Sequence, residues 1–163
     1  MVDIRLLAAS LTALLEEEHG GTAQLLSLLR REQVALIDSE ADEIAALAAE
    51  KAVLIACING VVARRAACVA PTGFSADPAG MEHLFSAHAD LARCCYPIWS
   101  KVLESWLCAR NESRLNDAIA KLYQMRTERA LGVLRQAAGL AGTYGSDGRV
   151  QNSSSGRTSL RVG

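Results

Sequence analysis

Four groups of side chains in this 163-residue chain are able to do chemistry. Glu16-Glu17-Glu18-His19 contains one Glu-x-x-His spacing, which sets two metal ligands on one face of a helix. Carboxylate-bridged di-metal bundles need two such motifs and two further carboxylates, and no second Glu-x-x-His occurs. The glutamate triplet therefore reads as a solvated helix face beside a polar seam position. His83, His88, Cys94 and Cys95 form the densest cluster of ligand types. Five-residue spacing sends the two histidines to different faces, and adjacent cysteines diverge on a helix, whereas zinc prefers cysteines two to four residues apart. His88 in Ala87-His88-Ala89-Asp90-Leu91 is a histidine in a helical context, as in phosphotransfer bundles, but it lacks the Lys-Gly that follows such a histidine. Trp99 and Trp106 are seven residues apart on one helical stripe, with either core packing or an exposed aromatic groove as the outcome. No glycine-rich phosphate loop or nucleophile elbow is present. The expectation is a protein that is not an enzyme, with no cofactor and no metal.

These residues sit in a chain whose composition favours helices. Half of it is apolar but only 4% aromatic, and Leu and Ala dominate with 22 and 28 residues. Only 3 Pro interrupt it, and half of the 12 Gly lie after residue 138. A net charge of −1 gives no electrostatic case for nucleic acid. Five cysteines without regular spacing argue against a disulfide framework. No stretch reaches about 18 consecutive apolar residues, so no membrane span is expected. The N-terminus lacks a secretory pattern, and a cytoplasmic location with reduced thiols is the expectation.

Apolar periodicity places the elements. Ile4, Leu7, Leu11 and Leu14, then Leu25, Leu28 and Ala35, recur at steps of three and four over roughly residues 3–37. Glu18 and Gly21 interrupt that stripe, and Gly20-Gly21 either weakens one long helix or separates two. The stripe resumes in phase, which favours one helix. Asp38-Ser39-Glu40 is a break in which Asp38 or Ser39 is placed to cap the next helix, with Asp42 completing a short-armed capping box. Ile44, Leu47, Leu54, Ile58, Val61 and Cys68 follow at heptad-like spacing, and Lys51 and Arg65 share their stripe. Long aliphatic stems let both cations cover the seam while the charge reaches water. So short a connection requires antiparallel neighbours.

Residues 71–80 hold Pro71-Thr72-Gly73, Asp77-Pro78 and Gly80 and read as a loop. Leu84, Leu91, Ile98, Val102, Leu115, Ile119, Leu122 and Met125 then continue in helical phase across Pro97. That proline either kinks one long helix or joins two near Tyr96-Pro97. The expected fold is all-α: an antiparallel helical hairpin plus a long, kinked C-terminal helix in a coiled-coil-like bundle. The helical domain spans residues 1–142. Residues 143–163, rich in Gly and Ser, form a flexible, weakly basic tail.

Several stretches together resemble the FlgN family of flagellar export chaperones. Residues 25–36 read LLSLLRREQVAL, followed by the acidic break at Asp38 and by Glu50-Lys51-Ala52-Val53-Leu54-Ile55. Asn111-Glu112 and Asn116 precede a helix ending Ala130-Leu131-Gly132-Val133-Leu134. Tyr144-Gly145-Ser146-Asp147-Gly148 beyond that helix is the most specific part of the match. The resemblance implies a cytoplasmic chaperone that binds the C-terminal helical region of the hook-filament junction (hook-associated) proteins. Such a chaperone prevents premature assembly and delivers its cargo to the cytoplasmic domain of the export gate, with the export ATPase complex as a further partner. It places cargo recognition in the C-terminal half, here at Ile119, Leu122, Met125, Leu131 and Leu134, and gate contact at Tyr144. The alternative for the five apolar residues is packing against the hairpin. The contrasting functions are a metal-binding or phosphotransfer bundle and a coiled-coil adaptor outside flagella.

Overall fold

The computed structural model describes residues 3–141, with side chains described to residue 138. Four α-helices follow one another: α1 (Ile4–Asp38), α2 (Ala41–Val69), α3 (Pro78–Ala87) and α4 (Ala89–Ala141), with a single 3-10 turn at Ala70–Thr72. No strand occurs among the described residues. The all-α expectation and the hairpin of α1 and α2 hold. The chain divides into two compact units, Met1–Ala120 and Lys121–Gly163. The tail expected at residues 143–163 lies outside the described residues.

Asp3 starts α1 by accepting hydrogen bonds from the backbone N–H groups of Arg5 and Leu6. The helix runs unbroken through Gly20-Gly21. A Cβ on Gly21 would stand 2.9 Å from Ile58 Cγ1, so the missing side chain allows α2 a close approach. Gly20 has nothing within 4 Å of such a Cβ. Gly20→Ala is therefore expected to stabilise the protein by about 1 kcal/mol through helix propensity alone, read as a raised urea midpoint.

The turn between α1 and α2 works differently from the sequence expectation. Ser39 adopts the left-handed conformation (φ 60°) and terminates α1, while Glu40 N–H bonds Ala35 C=O. Neither Asp38 nor Ser39 caps α2, which begins after Glu40 without a side-chain cap. Asp42 and Glu43 in its first turn favour the positive end of the helix dipole instead.

Residues 71–80 are also not one loop. Gly73 (φ 83°) closes the 3-10 turn, and Pro78 to Gly80 already form the first turn of α3. Asp77 caps α3 by accepting from the Gly80 N–H, and that bond, with the Ser75 hydroxyl, holds its carboxyl below the usual carboxylate range. A depressed carboxylate supports the fold at neutral pH, and its contribution fades as pH falls through the acid range.

The division of the third segment lies at His88, not at Pro97. His88 leaves helical geometry (φ −133°, ψ 86°) between α3 and α4, and Pro97 stands inside α4. The proline removes the donor for Arg93 C=O, but Pro97 and Arg93 are both exposed, so water reaches that carbonyl.

The core of the Met1–Ala120 unit narrows along its length. At one end, Leu7, Leu11 and Leu15 of α1 meet Val69 of α2, Met81, Leu84 and Phe85 of α3, and Leu91, Cys95, Trp99 and Val102 of α4. In the middle only three helices contribute, through Leu25 and Leu29, Ile58, and Ala109. At the hairpin end two remain, through Leu28 and Ala35 against Leu47. Asn116 closes the α4 contribution, donating from Nδ2 to Leu29 C=O at 2.7 Å and to Glu32 at 3.0 Å.

Candidate functional site

The glutamate triplet combines a solvated face at Glu16 and Glu17 with a buried polar seam position at Glu18. Glu17 is exposed and pairs with Arg64. Glu18 is 1% exposed, and Arg65 donates to it from Nε at 2.7 Å. The same carboxylate accepts from Trp106 Nε1 at 3.1 Å, so one buried charge ties α1 to α2 and to α4. Arg65 also donates to Ala76 C=O and lies 5.0 Å over the Trp99 ring. Its charge does not reach water, because the hairpin puts a carboxylate directly opposite it. Lys51 repeats the arrangement at the other end of the hairpin, pairing with Glu32. Glu18 with Arg65, Leu25 with Ile58, and Glu32 with Lys51 share one antiparallel register at intervals of two turns. These polar layers fix the pairing of α1 and α2 and offer no open coordination position.

The other candidate chemistries are dispersed. Among the described residues no three of His, Cys, Asp and Glu come close enough to hold a metal ion. His19 Nδ1 bonds Ser105 Oγ at 3.0 Å, a second link from α1 to α4. His83 is exposed, whereas His88 is half-buried at the α3–α4 break with its ring edge-on to Phe74. Cys94 faces solvent and Cys95 lies in the core, where it contacts Thr12 Oγ1 and burial pushes its thiol up. A raised thiol pKa lowers the thiolate fraction and makes Cys95 unreactive. Both tryptophans pack on the core, to different depths. Trp99 is core at 2% exposure, while Trp106 is half-buried with its N–H spent on Glu18.

Ala41–Thr72 is long and apolar enough to cross a membrane by length and composition, although no uninterrupted apolar run marks it in the sequence. One such helix does not indicate a span. Within the bundle its Lys51 and Arg65 are held by carboxylates of α1.

The apolar residues of α4 beyond the core are open. Leu131 is 45% exposed, Leu122 48%, Met125 49% and Leu134 64%, with Ile119 half-buried. Every described side chain from residue 120 to 138 except Tyr123 is exposed. The five are not one stripe. Leu122 and Leu131 are nine residues apart, which is two and a half helical turns, so they lie on opposite sides of α4. Ile119 and Leu122 share a face with Leu115, while Leu131 and Leu134 share another. Tyr144 lies outside the described residues.

A long helix with apolar side chains on more than one face, uncovered among the described residues, suits a protein that holds another chain. Neither a curated protein nor a solved structure matches this sequence. The FlgN protein family does, over residues 1–152, nearly the whole chain. On that match, with the helical bundle that accompanies it, the chain belongs to the FlgN family of flagellar export chaperones.

Proposed function

We propose that the protein binds the C-terminal helical region of the hook-filament junction proteins and keeps it from assembling before export. The observation that carries this reading is the exposed apolar surface of α4 at Leu122, Met125, Leu131 and Leu134. An amphipathic cargo helix is soluble only while its apolar face is covered, and these side chains are available to cover it. The two faces of α4 suit a cargo segment that folds around the helix more than one that lies along a single seam. Cargo exchange needs no covalent step, cofactor or metal, and the chaperone works in the cytoplasm without catalysis.

Leu122→Asp is the direct test. It is expected to weaken cargo binding by at least about tenfold, which corresponds to about 1.4 kcal/mol, while helicity by circular dichroism stays unchanged. Unchanged affinity in a calorimetric titration contradicts the assignment.

Delivery is assigned to Tyr144, as the aromatic anchor for the cytoplasmic domain of the export gate, with the export ATPase complex as an accessory partner. Tyrosine combines apolar area with a hydroxyl at low entropy cost, which suits a short linear contact. Tyr144→Ala is expected to leave folding and cargo binding near the parent values and to weaken gate binding by at least about tenfold. Equal affinity of parent and variant for the gate domain refutes that role.

A further inference from the structure

The Met1–Ala120 unit has an unfilled side. Two cavities, about 610 and 650 Å³, lie between α2 and α4 and meet at Asn59 and Trp106. Together they form one cleft. Its α2 wall runs from Lys51 to Ala66 and its α4 wall from Trp99 to Ser113, about 21 Å at 1.5 Å per residue. Leu25 and Leu29 of α1 form the floor of one half, and Ile55 and Leu107 stand exposed on its rims. Three helices thus leave open the place that a fourth occupies in a four-helix bundle, with a length that suits about four turns.

Charge narrows the occupant. Lys51 and Arg110 line the half floored by Leu25 and Leu29, with no carboxylate in its wall. Lys51 is paired with Glu32, whereas Arg110 is exposed and has no ion-pair partner among the described residues. Segments of this chain suit the cleft poorly. The end of α4 carries Lys121, Arg126, Arg129 and Arg135 against Glu128 alone, and residues 143–163 carry Arg149, Arg157 and Arg161 against Asp147 alone. Cationic segments from the same or a second copy would meet Arg110 with like charge. The other half is lined by Trp99, Leu103 and Trp106 of α4 with Val62 of α2.

We propose that the cleft between α2 and α4 seats an amphipathic helix of a partner protein, apolar toward Leu25, Leu29 and Leu107, with a carboxylate against Arg110. The site is separate from the α4 surface beyond Ala120. It rests on the chaperone reading only for the source of that helix.

Both tryptophans of the chain line the cleft, so their emission reports occupancy. The probe is a synthetic 16-residue helix with leucines at i, i+4, i+7 and i+11 flanked by glutamates, titrated into the full 163-residue chain. A second peptide carries lysines in place of the glutamates. The expected result is saturable binding of the glutamate peptide and at least about tenfold weaker binding of the lysine peptide. Arg110→Glu is expected to reverse that preference. Leu107→Asp should weaken the glutamate peptide by at least about tenfold, and Leu122→Asp should leave it unchanged. Leu107 and Arg110 are exposed, so both variants are expected to fold, with circular dichroism as the check. Absence of saturable binding, or a preference unaltered by Arg110→Glu, overturns the proposal. So does a dimer that Leu107→Asp dissociates, which makes the occupant a second copy. A tenfold gain in peptide affinity on removing residues 142–163 also overturns it, because the tail is then the resident. No junction protein enters the titration, so failure here is distinct from failure of the chaperone reading.

Discussion

Arg65→Met is expected to destabilise the protein by about 3–5 kcal/mol, the cost of leaving a buried charge without its partner. The Arg65 side chain is 7% exposed and the Glu18 side chain 1%, so water does not replace the lost contact. Glu18 retains only the Trp106 N–H, and Ala76 C=O loses its donor. The methionine keeps most of the aliphatic stem, so the loss reports the charge and its hydrogen bonds more than packing. Urea denaturation measures it, and for a chain of this size the midpoint of thermal unfolding should fall by roughly 10 °C. Combining Arg65→Met with Glu18→Leu is expected to recover at least half of the loss, because removing both charges removes the desolvation penalty. A single variant as stable as the parent would mean that the pair is not buried as described.

Trp99→Ala carries the second large effect, about 3–5 kcal/mol. Trp99 is 2% exposed at the end of the core where all four helices meet, and its ring lies beneath Arg65. Truncation leaves a cavity that the other members of the core, such as Leu84, Leu91 and Val102, fill only in part. Trp99→Phe should cost less than half as much. The indole N–H makes no hydrogen bond within the chain, so phenylalanine gives up volume but no polar partner. The two variants, compared by urea titration, separate the packing role of the ring from any role of its N–H.

The parts of this fold that were legible in the sequence are those governed by local periodicity. The heptad stripe of α2 from Ile44 to Cys68, and its continuation past Lys51 and Arg65, correspond to the face it turns to α1. The sequence also marks Glu18 as an interruption of the α1 stripe, but its partner is 47 residues away, and periodicity names a face without naming what lies opposite. A usable signal was present: Glu18 and Glu32 are separated by the same two heptads as Lys51 and Arg65. Equal spacing of opposite charges on two antiparallel stripes specifies a register.

The breaks were less legible. Pro97 is a conspicuous helix breaker, yet it sits where water satisfies the freed carbonyl, and the helix continues. The actual break at His88 has no Gly or Pro beside it and follows from tertiary packing, with Leu84 and Phe85 before it and Leu91 and Cys95 after it all in one core. Gly80, a turn signal by type, is instead a helical residue pressed against Ser75, where a Cβ would come within 2.2 Å of the Ser75 carbonyl oxygen. In the candidate site, side-chain type identified the exposed apolar residues of α4, but Leu122 and Leu131 stand on different surfaces, because nine residues reverse the face of a helix. The cleft between α2 and α4 arises from three separate segments of chain and has no local signature.

In the proposed function, the exposed apolar surface of α4 holds a helical segment of a cargo protein. Sedimentation velocity of the full chain mixed with a purified hook-filament junction protein, each at about 10 µM, tests that reading most directly, because a dissociation constant near 1 µM then gives mostly complex. The account predicts a faster-sedimenting complex that disappears when the C-terminal helical region of the junction protein is deleted. Independent sedimentation of the two intact proteins, or a complex that survives the deletion, would contradict it.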